Sequence, residues 1–172
     1  KVSGLPLVAY RMPPKTIIST VAKKLGINLR SRKFSNPEQG MKALDEALAE
    51  GKLVGLQTSV YWLPYFPEDM RFHFNAHNLM VYGKNEQGDY LISDPVFEDV
   101  VICPAEDLKR ARFAKGALAA KGRMYVMDAL PEKLDVTTLI KPSIRKTAKM
   151  MNGLILPFFG TKGIGFLAKR IR

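Results

Sequence analysis

Apolar residues recur along this chain first with a helical period and then with an alternating one. Ile17, Ile18, Val21, Ala22 and Leu25 fall on one stripe, which predicts a helix over 16–25 with Gly26 as its C-cap. A short basic extended piece follows. Asn36-Pro37-Glu38-Gln39 then reads as a helix start, because Asn36 can accept a bond from an orphan N–H, Pro37 suits the first turn and Gln39 can reach back. That helix turns Met41, Leu44, Ala47 and Leu48 inward and stops at Gly51. Leu53 to Tyr61 is rich in Val, Leu and Tyr and predicts a strand. Trp62 to Asn75 carries prolines and aromatic residues and reads as a structured loop over a site.

Asn78 to Lys84 and Asp89 to Ser93 read as two strands joined by Asn85-Glu86-Gln87-Gly88. Asp94-Pro95 breaks the second of them. Glu98 to Ile102 predicts a third strand, and Pro104 opens a short helix through Ala111, with Glu106 and Asp107 in its first turn, where the helix dipole favours them. Arg123 to Met127 is a last short strand. A helix is expected from about Thr137 to Met151, and a Gly-rich basic tail after it. Helices followed by hairpin-connected strands argue for an α+β fold on an antiparallel sheet with packed helices. The expected division is a domain over 1–130 and a basic helical extension over 131–172.

A length of 172 residues suits one ordinary domain with a real core, and 47% hydrophobic with 25% charged residues excludes a disordered chain. No signal peptide is visible, and an apolar stretch such as Gly153 to Gly160 is too short to span a bilayer. A single cysteine allows no internal disulfide, which points to a cytoplasmic setting. The first residue is Lys1, within a Gly/Pro-containing stretch, so the expectation is a piece of a longer polypeptide.

Charge is unevenly placed within a net of +11. Lys1 to Pro37 and Val136 to Arg172 each hold eight basic residues and no acidic one, leaving eleven basic against sixteen acidic residues between them. Basic ends on an acidic middle fit contact between those parts, a cationic face for an anionic partner, or a merely solvated basic face. No nucleic-acid reading module accompanies them, so no nucleic-acid partner is expected.

The hairpin carries the candidate chemistry. With its turn centred near Asn85-Glu86, His77 stands directly opposite Asp94, on the same face, with Cβ atoms roughly 4.5–5.5 Å apart. A carboxylate there can hold one imidazole nitrogen and leave the other as a base. The alternative is a half-buried histidine bonding a backbone group. Such a pair needs a nucleophile to act on a carbonyl. Cys103, the one thiol present, follows Asp94 by nine residues and is expected to be structural. His73 and His77 have the i, i+4 spacing of a zinc helix, but Phe74 stands where that motif needs Glu, so neither a metal nor another cofactor is expected. Tyr61, His73 and Asn75 are the candidate substrate contacts.

The aromatic-rich "YWLPYFP", then "HFNAHNLMVYG", "YLISDP" and "RARFAKG" within residues 55–116 resemble the butirosin biosynthesis protein H N-terminal domain family, as does "LPLVAYR" near the start. Residues 133–172, with "IRKTAKMM" and "GTKGIGFLAKRI", look like the opening of the C-terminal region that follows that domain. The family is similar to papain-like cysteine peptidases of the bacteriocin-processing type. The resemblance implies a papain-like fold, His77 as base, Asp94 as its orienter, and a nucleophilic cysteine in an N-terminal segment before Lys1. It also implies acyl transfer from an acyl carrier protein, an acidic partner, to an amine or other small acceptor. A papain-like peptidase or amidase and a noncatalytic binding module remain as alternatives. Apolar residues from Leu154 to Leu167 interleaved with Lys162, Lys169 and Arg170 suggest a further one, peripheral membrane contact through 152–172.

Overall fold

The computed structural model describes residues 14–129, 131–133, 135–153 and 160–170. They form two compact units, Ile27–Leu130 and a second that joins the residues before Ile27 to those after Leu130. The sheet lies within the unit Ile27–Leu130. The helix α1 (Pro14–Lys24) therefore groups with the C-terminal helices, and Lys24 Nζ donates to Ser143 Oγ at 2.6 Å.

The unit Ile27–Leu130 is α+β. Strands β1 (Asn28–Arg32), β2 (Val54–Thr58), β3 (His77–Lys84), β4 (Tyr90–Ser93), β5 (Val101–Cys103) and β6 (Met124–Ala129) form one sheet of order β1-β6-β2-β3-β4-β5, antiparallel at every step. Helix α2 (Pro37–Ala49) starts as its sequence requires, with Asn36 Oδ1 accepting from the Gln39 backbone N–H at 3.1 Å and Pro37 in the first turn. Its inward stripe delivers Leu44 to a core shared with Val54, Leu56, Val81 and Ile92 from the sheet and Leu108 from α3 (Ala105–Phe113). Leu44, Leu56 and Leu108 have no exposed surface. Burying each contributes roughly 1.5–3 kcal/mol relative to leaving it in water.

Two predicted strands are shorter than their apolar patterns. β2 ends at Thr58 because the next backbone groups bond elsewhere: Ser59 N–H reaches Ala111 O and Val60 N–H reaches Phe74 O, so Val60–Trp62 closes into a 3-10 turn. β5 begins at Val101, since Phe97 N–H turns back to Asp94 O and the chain after Pro95 is not extended.

The second unit contains α1, α4 (Thr137–Gly153) and α5 (Gly160–Arg170). The Gly-rich tail is thus helical over its described part. Asp135 Oδ1 accepts from Thr138 N–H at the start of α4. The apolar stripe expected to bury α1 does so only at Ala22, while Ile17 and Val21 are 62% and 49% exposed. Ile140, Ile144 and Ile164 are exposed as well. Leu154, Ile155, Leu156, Phe158 and Phe159, which carried much of the expected membrane contact, lie outside the described residues. Among the described residues no helix is long and apolar enough to cross a membrane.

Candidate functional site

β3 opens at His77, which pairs with Thr58 of β2 and accepts the Thr58 hydroxyl on its carbonyl oxygen. β4 closes at Ser93, and the next residue is Asp94. The two strands are joined by a loop over Asn85–Asp89, in which Asn85 Oδ1 accepts from Asp89 N–H at 2.8 Å and Gly88 sits at φ +86. That conformation suits glycine, which has no Cβ to clash. This loop pairs Lys84 with Tyr90 and Gly83 with Leu91.

Continued without a break, that register would set Met80 opposite Asp94 and turn His77 to the other face. A bulge at Tyr82 intervenes, after which Val81 pairs with Ile92 and Met80 with Ser93. Extended by one residue, this register sets Leu79 opposite Asp94. His77 is therefore not directly opposite Asp94, as expected, but two residues away along the same face. Sheet faces repeat every second residue, so a two-residue offset leaves the pair together where a one-residue offset would part it.

The side chains meet across that diagonal. His77 Nε2 lies 2.7 Å from Asp94 Oδ2, with the histidine side chain 11% exposed and the carboxylate fully covered. Asp94 Oδ1 accepts from Val96 N–H at 3.0 Å, and Oδ2 also accepts from the Tyr65 hydroxyl at 2.8 Å. Burial alone would raise the carboxyl pKa. The bonds from His77, Val96 and Tyr65 outweigh burial and hold it below the ordinary aspartate value. Burial, and after it the neighbouring carboxylate, push the Tyr65 phenol far up, so it stays a donor. With Nε2 bonded to an ionised carboxylate, Nδ1 is the nitrogen left to accept a proton. Aromatic rings enclose the pair: Phe66 presents to the His77 ring at 5.6 Å and 88°, and Phe97 packs against both Tyr65 and Phe66.

The other candidates are placed apart from this pair. Tyr61 and His73 stack on each other, ring centroids 4.0 Å apart. Tyr61 also lines a cleft of about 440 Å³ with Trp62, Arg71 and Arg110, and neither His77 nor Asp94 is part of its wall. Asn75 is 2% exposed; its Nδ2 donates to Ala117 O at 2.8 Å and Lys115 O at 3.3 Å. Its side chain is thereby used in holding the 115–117 loop. Among the described residues no group of three His, Cys, Asp or Glu side chains is placed to share a metal ion.

Cys103 sits at the end of β5, paired with Tyr90 and without exposed surface. Burial, then the carboxylates of Asp107 and Asp89, push its thiol up to about 12. A protonated, covered sulfur is no nucleophile. Tyr65 is the member of the site that the pattern did not single out. The loop "YWLPYFP" is conspicuous as a whole, but nothing in its spacing tells which ring reaches a carboxylate 29 residues further on.

The family described as butirosin biosynthesis protein H, N-terminal, matches residues 1–95, a stretch that contains both His77 and Asp94. A domain of unknown function, DUF4872, matches residues 106–172. The boundary between these matches falls inside the compact unit, since α3 and β6 lie beyond it yet pack on and complete the same sheet. No curated protein matches the chain. Among solved structures, the chain is similar to a Bacillus anthracis crystal structure described as a C39-like peptidase, with 16% identity and a TM-score of 0.44 over 66% of this chain. It spans 57% of that protein's length.

Proposed function

The chain belongs to the butirosin biosynthesis protein H N-terminal family, and from that premise we propose that it supplies the base and its orienting carboxylate to a cysteine-dependent acyltransferase of papain-like type. The acyl group comes from an acyl carrier protein thioester and passes to an amine or another small acceptor. One observation carries the reading: His77 Nε2 at 2.7 Å from a covered, ionised Asp94, which leaves Nδ1 to work as the base.

Cys103 is buried with its thiol held protonated, so the reading requires a nucleophilic cysteine from outside residues 1–172. His77 Nδ1 takes the thiol proton as the sulfur attacks the thioester carbonyl. The tetrahedral intermediate then collapses, and the carrier sulfur takes the proton from Nδ1 as it leaves as a thiol, so the ring is neutral again before the acceptor arrives. An amine next attacks the acyl-enzyme and passes its proton to Nδ1, and the cysteine leaves as the amide forms. Asp94 keeps the ring in one tautomer and stabilises its charged form in both halves. Acyl carriers are acidic, and a net charge of +11 favours their approach.

The test incubates the native polypeptide, as the cell makes it, with a carrier bearing a radiolabelled acyl thioester. A covalent acyl-protein that forms with wild type and is lost in His77→Ala is expected. Absence of any protein-bound label overturns the reading, and labelling by peptides but not by carrier thioesters replaces it with a peptidase.

A further inference from the structure

Asp94 Oδ2 carries two donors. One is His77; the other is the hydroxyl of Tyr65 at 2.8 Å, which arrives from the loop after the Val60–Trp62 turn. The direction of that hydroxyl is fixed by packing, because the Tyr65 ring meets Phe97 edge-on at 5.5 Å and Phe66 at 5.2 Å. We infer that Tyr65 is a positioning residue for the His77–Asp94 pair, and that its hydroxyl limits how strongly Asp94 holds a proton on His77. The inference rests on the reading of that pair as a base and its orienter.

The physical reason lies in how a carboxylate shares its charge. Each donor on the same oxygen withdraws electron density from it, and the bonds to a charged acceptor are the strong ones in a covered site. A carboxylate bonded by His77 alone on Oδ2 would favour the imidazolium more, and the ring would release its proton less readily. A second donor on that oxygen shifts the balance towards the neutral ring. Tyr65 suits this part because burial and the adjoining carboxylate keep its phenol protonated. Besides Asp94, the titratable group that bears on the Tyr65 phenol is the Cys103 thiol of β5, which burial keeps protonated.

A ring that serves only as packing predicts something else. Tyr65→Phe keeps the contacts to Phe66 and Phe97 and removes only the oxygen. The chain has two histidines, so NMR of the imidazole protons follows His77 directly, with His73→Gln used to assign it. The expected result is that the His77 titration curve of Tyr65→Phe moves to higher pH, by roughly threefold to tenfold in proton affinity. A fluorinated tyrosine placed at position 65 keeps the shape and strengthens the donor, and it should move the curve the other way. This second variant also carries the test if Tyr65→Phe fails to fold. Curves that coincide with wild type, or that shift in the same direction for both variants, overturn the inference. The measurement needs no substrate, so its failure is distinct from a failure of acyl transfer, which the labelled adduct reports.

Discussion

His77 and Asp94 meet on a diagonal, two residues out of direct opposition, with Nε2 and Oδ2 2.7 Å apart. The bulge at Tyr82 makes this contact possible. The Asn85–Asp89 loop alone sets a register that sends His77 to the far face, and one unpaired residue in β3 corrects the parity before the strand reaches the site. Diagonal neighbours stand further apart than opposed ones, and a ring reaching towards a carboxylate closes the gap.

Asp94 makes acid stability depend on this contact. Its folded pKa lies below the ordinary value of 3.8, so the unfolded chain binds the proton more readily. The stabilisation is complete at pH values above 3.8 and is lost as the pH falls through the lower, folded value. Urea midpoints of wild type should therefore drop on acidification below about pH 4. Asp94→Asn should be less stable at neutral pH and show a flatter acid limb. Equal acid limbs in the two proteins would remove the carboxylate from the account. In the acyl-transfer assay the same variant should lose roughly a thousandfold or more in rate, because an amide can hold the ring in the wrong tautomer.

Cys103 should behave as a core residue. Its thiol is pushed up to about 12 by burial, so the folded 172-residue chain should react with a disulfide reagent at neutral pH only after denaturant is added. Cys103→Ala should cost about 1 kcal/mol in chemical unfolding, through lost packing against its neighbours. Rapid labelling of the folded chain would show that the sulfur is accessible and reopen it as a nucleophile.

Much of this arrangement can be read from residue order, for reasons that differ by element. Helix α2 is legible because Asn36, Pro37 and Gly51 mark both of its ends by local chemistry. The His77–Asp94 pairing is legible because period-2 alternation survives an error of two residues, though the register itself is not. The five-residue loop and the bulge each shift it by amounts that alternation cannot reveal. Gly160, Gly163 and Gly165 hide α5, since glycine lowers helix propensity by about 1 kcal/mol each and favours reading a tail. Tyr65 is invisible for another reason: its contact depends on how a loop folds back over the sheet.

Gly122 is a sharp test of the packing between α3 and the start of β6. Its φ is +58, and an added Cβ would lie 2.4 Å from a carbon of the Phe113 ring and 2.8 Å from the Phe34 carbonyl oxygen. The backbone oxygen cannot move aside as a flexible side chain would. Gly122→Ala should therefore lower stability by about 2–4 kcal/mol, with backbone strain and overpacking acting together. Thermal unfolding measures it, and a loss under about 1 kcal/mol would mean that the loop relaxes freely.

Asn75 separates a scaffold role from a substrate contact. Its Nδ2 donates to the carbonyls of Lys115 and Ala117, and the Gln57 amide in turn donates to the Asn75 carbonyl and to Leu118 O. These bonds tie the entry to β3 to the loop that precedes β6. Asn75 Oδ1 is buried without a hydrogen-bond partner, so its own desolvation offsets part of what the two Nδ2 bonds contribute. Asn75→Ala should consequently lower stability by about 1–2 kcal/mol, less than the loss of two buried bonds alone. Because the residue stands two positions before His77, the loosened loop should also lower the rate of acylation modestly while leaving the affinity for the acyl donor unchanged. Urea unfolding together with kcat and KM on the same preparation checks this. A raised KM with unaltered stability would return Asn75 to the substrate-binding surface and take it out of the scaffold.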